Sequence, residues 1–374
     1  MNQLQTAEKQ RDSNFELLRI TAMFLIVIGH LGQHGIWFAP NAEPSFNFLL
    51  SRFRLGWLGN FLFMLVSGYF MANTHFSWKK LFRMWLQIFS ISACIGLFAF
   101  FSKIQVCSVW YDEASYVQNG FFATAHQVGI KELIRSCMPC YFGNNWFAVA
   151  YMVFYLFAPF ANKLFNTLTE KEHRFLMILM IVLQTVVPFF PRQGIFFGDN
   201  LFAFLLCHCT ADYIRRYNPK ILTYKKLNIT LSLLLIASFF CWFAFTHFVL
   251  VRKIPTLQNH ILGIEGRWGG MNSFSGFLCA VLIFCVFKDF SVPCNKRVNT
   301  VASATFGVYL LHENLLINKW LWHIVFRMDN WLSSPWLLAY MILCASIVFA
   351  ICDCIELLRQ RLQKIGRASC RERV

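Results

Sequence analysis

The sequence predicts an all-α, polytopic transmembrane bundle of about ten helices with both termini cytoplasmic, and three observations carry that prediction. Of 374 residues, 57% are hydrophobic and only 14% charged, where a soluble domain carries about a quarter. Aromatic residues reach 18%, with 43 Phe, 12 Trp and 11 Tyr; Phe suits lipid-facing surface, and Trp and Tyr suit the headgroup belts. Apolar runs recur along the whole chain, separated by short basic clusters.

A hydrocarbon core about 30 Å thick takes roughly 20 apolar residues per helix. On that measure spans fall near 15–36, 46–71, 81–101, 145–165, 174–191, 198–215, 227–251, 268–288, 300–320 and 334–358. Residues 1–14 are polar and form a cytoplasmic N-terminal segment. No small-residue cleavage site follows the first apolar run, so it reads as a retained helix rather than a signal peptide. Residues 15–358 form one transmembrane domain and 359–374 a cytoplasmic tail. With the N-terminus inside, twenty Lys and Arg residues fall on the cytoplasmic side and eleven on the other; an odd number of spans would scramble this bias. Residues 365–374 (IGRASCRERV) resemble a translated sequencing-adapter read-through and are expected to be non-native.

The formal charge of +16 does not point to nucleic acid, because the basic residues are dispersed between apolar stretches rather than gathered in a stripe. Most of the fourteen cysteines sit inside apolar runs, where a thiol acts as a small hydrophobe. Cys137 and Cys140 form one C-x-x-C, and without a second pair at zinc spacing it is a poor metal signal.

An ionisable side chain inside a membrane is a functional candidate, since it costs several kcal/mol unless paired or hydrated. The first helix carries Glu16, Arg19, His30 and His34. Arg19 and His30 are eleven residues apart, which puts them on one helix face about 16 Å apart along the axis. A deep His can act as a base near neutral pH or simply hydrogen-bond across helices, and spacing alone leaves these readings even. Glu16, at i−3, can fix Arg19. His312 and Tyr309 share a face of the ninth span and are expected to line the cavity opposite His30 in a supporting role. His34 is expected at the interface. His208 points away from its neighbours Cys207 and Cys209, against a metal cage, and Asp199 and Asp212, near helix ends, carry no assignment. The stretch 102–144, with Tyr111, Asp112, Glu113, Asn144, and then Asn145 and Trp146, is either an acceptor platform or an ordinary surface loop.

Arg19 and His30, as R-x10-H on the first helix, resemble the signature of the acyltransferase-3 family of membrane-bound acyltransferases. Further segments are similar in order: FLFMLVSGYF (61–70), KKLFRMW (79–85), Trp146-Phe147 with Tyr151 and Pro159, and TFGVYLLH (305–312). Lys80 stands where the family's cytoplasmic R-x-x-R has its first Arg, giving a point charge in place of a planar fork; Arg83 matches the second. The resemblance implies an acyl-CoA donor, acetyl-CoA above all, held on the cytoplasmic side by Lys80 and Arg83. His30 and Arg19 are then the catalytic pair. Ser67, Tyr69, Trp146, Tyr151, Tyr309 and His312 are expected in the cavity or acceptor site, with Ser67 packing rather than attacking. No metal and no nucleic acid are expected. The implied partners are the lipid bilayer, that of a bacterial inner membrane, and a polysaccharide or glycolipid of the cell envelope bearing the O-linked acceptor. The rival readings are a transporter or flippase of a lipid-linked sugar, and an acyltransferase with a small-molecule acceptor.

Overall fold

The computed structural model describes residues 12–36, 55–72, 75–107, 119–141, 145–186, 200–251 and 273–371. Among these, ten helices have twelve residues or more: α1 (Ser13–Gly35), α2 (Leu55–Met71), α3 (Trp78–Phe101), α4 (Trp146–Thr167), α5 (Glu170–Ile181), α6 (Asn200–Tyr217), α7 (Lys225–Val251), α8 (Phe274–Lys288), α9 (Lys296–His312) and α10 (Leu337–Arg371). Five, namely α1, α3, α4, α7 and α10, are long and apolar enough to cross a membrane by length and composition, and α2 and α8 are shorter apolar helices. Parts of the expected spans at 46–54, 187–191, 198–199 and 268–272 lie outside the described residues. A bilayer accounts for the surface: Phe101, Phe160, Leu233, Leu234, Ile342 and Ile351 are each more than half exposed, an apolar area that water would penalise and lipid covers.

Local chemistry fixes the helix ends. Thr169 and Glu172 form a reciprocal capping box at α5, and the side chains of Ser273 and Asn295 cap α8 and α9, satisfying first-turn amides that have no helical partner. The span expected at 300–320 is not continuous, because α9 stops at His312. Asn314 turns the chain there, its Oδ1 accepting from the Leu316 amide at 3.1 Å and its Nδ2 donating to Ser92 of α3 at 3.3 Å. At the other end of the chain α10 continues past the expected 358 to Arg371. Between α3 and α4 the fold adds a two-residue antiparallel ladder, Gln105–Val106 with His126–Gln127, and a short helix Ile130–Ser136.

Side-chain bonds show which helix ends lie together. Ser13 reaches Asn299 at 2.9 Å, Asn14 the Phe287 carbonyl at 3.0 Å, Lys288 Asn218 at 2.9 Å and Asn162 the Met71 carbonyl at 3.0 Å. The start of α1 thus sits with the ends of α2, α4, α6 and α8 and the start of α9. At the opposite end the Phe147 amide donates to the Tyr309 hydroxyl at 3.2 Å, joining the start of α4 to the end of α9. Successive helices alternate in direction, and α1, packed on α2, α8, α9 and α10, connects two chemically different ends.

Candidate functional site

Two glycine contacts set the position of α1 against α2. A Cβ on Gly59 would lie 2.5 Å from the Ala22 carbonyl, and one on Gly29 2.5 Å from the Gly56 Cα, so only hydrogen fits between these backbones. Beside this contact a small cleft opens, lined by Gly29, His30, Gln33, Gly56, Trp57, Asn60 and Trp146. His30 is 6% exposed, and its ring is held from α9.

The hydrogen-bond network assigns its tautomer. His312 Nδ1 lies 2.6 Å from the Val308 carbonyl oxygen; a carbonyl only accepts, so this nitrogen carries the proton. The neutral His312 ring then offers an acceptor at Nε2, which stands 2.9 Å from His30 Nδ1. His30 Nδ1 must therefore donate, and the lone pair of His30 rests on Nε2. No hydrogen bond is made by that Nε2 among the described residues. A carboxylate completes the cluster: Glu313 Oε2 approaches His30 Nδ1 at 3.1 Å, and its Oε1 pairs with His34 Nε2 at 3.1 Å. The result is an imidazole whose Nδ1 is oriented by a histidine and backed by a carboxylate, a geometry in which a proton accepted at Nε2 would be stabilised by the nearby anion.

His34, expected at the interface, is gathered into the same cluster. It is 8% exposed and bonded to Glu313, and its carbonyl accepts from His323 Nε2 at 3.0 Å. Glu313 was missed by sequence reasoning, though an acid directly after YLLH in a span expected to continue to 320 was the available signal.

The residues expected around one cavity divide between the two ends of α1. Trp146 lines the cleft, and Tyr309 and His312 sit with His30, at ring-centroid distances of 6.2 and 5.1 Å. Ser67, Tyr69 and Tyr151 lie toward Arg19. Ser67 lies near Tyr151, and Tyr69 stacks on Phe15 at 5.1 Å beside the Arg215 guanidinium, which lies 5.1 Å from the Tyr69 ring. Arg19 pairs with Glu16 at 2.8 Å and lies 5.3 Å from the Phe70 ring, within electrostatic range of Lys80 and Tyr151. Lys80 Nζ sits 4.9 Å from the Tyr155 ring. Arg83 and Lys79 are exposed, and Arg83 is not gathered into this group. Near Tyr69 a second, more open depression is bordered by Asn14, Phe15 and Lys288.

Asp212, left without assignment near a helix end, is 1% exposed and paired with Arg216 at 2.5 Å, where α6 packs against α5. His208 bonds Asn162 at 2.8 Å and the Gly68 carbonyl at 3.2 Å. Tyr111, Asp112, Glu113, Asn144 and Asp199 lie outside the described residues.

No match is found among curated proteins or among solved structures. A family model described as an acyltransferase domain matches residues 12–352, a range that includes α1 with His30, α9 with His312, and Glu313. The chain belongs to the acyltransferase-3 family of membrane acyltransferases.

Proposed function

We propose that this chain is an O-acyltransferase that moves an acyl group, acetyl in the first instance, from acyl-CoA to a hydroxyl of a cell-envelope polysaccharide or glycolipid. The observation that carries the reading is the His30 tautomer: a buried imidazole with Nδ1 committed to His312 and a lone pair at Nε2, on the wall of a cleft. The orientation that fits places both termini and the Arg19 end at the cytoplasmic face of a bacterial inner membrane, in keeping with the bias of basic residues.

CoA is a long, thin donor with phosphates at one end and the thioester at the other. Arg19 and Lys80 would hold phosphate, with Arg83 at the surface as a point of first contact. The arm would run along α1 for the about 16 Å that separate Arg19 from His30. His30 Nε2 takes the acceptor's hydroxyl proton as its oxygen attacks the thioester carbonyl. The tetrahedral intermediate collapses by breaking the C–S bond, and the CoA thiolate recovers the proton from His30, leaving an ester and free CoA. Glu313 stabilises the transient imidazolium. Ser67, near Tyr151 and toward the Arg19 end, takes no covalent part.

The test is mass spectrometry of envelope glycans from cells carrying wild type or His30→Ala at matched membrane abundance. Loss of the acetyl increment of about 42 Da with continued glycan export supports the base, whose removal should slow transfer by about 10²–10⁴-fold. Unchanged acetylation refutes it. Loss of export itself would favour the transporter reading.

A further inference from the structure

The cluster behind His30 has the composition of a metal centre as well as that of a base. Ligand atoms of His30, His312 and Glu313 all lie within 4.8 Å of one another, and all three residues are buried. The separations of 2.9 Å between His30 Nδ1 and His312 Nε2 and of 3.1 Å between His30 Nδ1 and Glu313 Oε2 approach the edges of a small tetrahedron, about 3.3 Å for bonds near 2.0 Å. Glu313 Oε2 is a second pointer: a buried carboxylate oxygen that accepts no hydrogen bond among the described residues.

Outer contacts are of the kind that orient metal ligands. His312 Nδ1 donates to the Val308 carbonyl at 2.6 Å, leaving Nε2 free of a proton. His34 bonds the other carboxylate oxygen, Oε1, at 3.1 Å. Two imidazoles and one carboxylate are donors suited to Zn²⁺ and leave a fourth position open.

We infer that the His30–His312–Glu313 cluster binds one Zn²⁺ ion, and that the zinc-loaded enzyme is silenced. The inference rests on the same histidine as the proposed function and adds a regulatory ligand to it. Loading requires no net loss of protons. His312 already presents a lone pair, Glu313 is an anion, and His30 moves its proton from Nδ1 to Nε2 as Nδ1 takes the metal. That shift places a proton on the atom that must accept one, so metal and base catalysis exclude each other at His30. This departs from the sequence expectation of no metal.

The test uses the full chain in detergent, in a Cys137→Ser/Cys140→Ser background that removes the C-x-x-C. Metal-stripped protein is dialysed against micromolar Zn²⁺, and bound metal is measured by mass spectrometry. One zinc per chain is expected, lost in His312→Gln and in Glu313→Gln and retained in His173→Gln, with size-exclusion profiles confirming folded protein. Co²⁺ should give weak visible bands without the strong near-ultraviolet thiolate absorption of a cysteine site. Zinc should lower acyl transfer by at least about tenfold, reversibly on chelation. No zinc above background, or full retention in both cluster variants, overturns the site. If transfer still depends on His30 in that case, the base stands alone. If stripped protein is inactive and zinc restores it, the site stands while the silencing and the base mechanism both fall.

Discussion

Replacing Glu313 by Gln tests the proposed base most directly, because it preserves the shape of the side chain and removes only its charge. The carboxylate lies 3.1 Å from His30 Nδ1. Once His30 has taken a proton, an ion contact at that distance is worth about 5 kcal/mol at an effective dielectric near 20. Roughly half is realised in a transition state where the proton is partly transferred, so the barrier should rise by about 2–3 kcal/mol, a fall in kcat of roughly 30- to 150-fold. The donor's phosphates are held at the other end of α1 in this mechanism, and its KM should stay within about threefold. The assay follows CoA release from acetyl-CoA with a thiol reagent, using protein in nanodiscs at matched folded abundance and saturating acceptor. A kcat within about threefold of wild type would refute the role given to the carboxylate. A loss confined to KM would move Glu313 from the reacting end to binding.

Four further outcomes follow from other parts of the molecule. Arg19→Ala strands Glu16, which is 4% exposed, and should destabilise the protein by about 1–3 kcal/mol; Arg19→Ala/Glu16→Gln should recover thermal stability but not donor affinity, and recovery of both would limit Arg19 to a structural role. Gly59→Val forces side-chain atoms onto the Ala22 carbonyl and should cost about 1–3 kcal/mol or more, read as a lower unfolding midpoint in detergent; an unchanged midpoint would contradict the α1–α2 packing. In intact cells a membrane-impermeant maleimide should label exposed Cys137 and spare exposed Cys294, the reverse result inverting the proposed orientation. Burial pushes the Cys140 thiol above the usual range, so its thiolate forms only at higher pH and its labelling should lag that of a free thiol until pH rises well past neutral.

Much of the fold was legible because lipid imposes a simple rule. Segments such as 81–101 and 227–251 read as helices from length and apolarity, and α3 and α7 cover them. The site was legible only in part. Arg19 and His30 stand out as charges on an apolar helix, but the partners of His30 come from 282 residues away, and no local period reports that. Glu313 was hidden by treating 300–320 as one helix, when an acid at its centre was a reason to end it at His312. The cavity residues were grouped by motif order, although helix rise separates them. Gly56 faces Gly29 and Tyr69 faces Phe15, and the thirteen residues from Gly56 to Tyr69 cover about 20 Å.

The contact between Gly29 and Gly56 has an evolutionary consequence. Gly56 is already the smallest residue available, so a side chain at Gly29, whose Cβ would stand 2.5 Å from the Gly56 backbone, has no compensating partner across the interface. The other remedy is to part the helices, which would carry His30 away from His312 and Glu313. The width of the cleft and the alignment of the base therefore cannot drift separately. A change in the size of the proposed acceptor would have to come through Trp57, Asn60 or Trp146, the cleft's larger lining residues, leaving the glycine seam untouched.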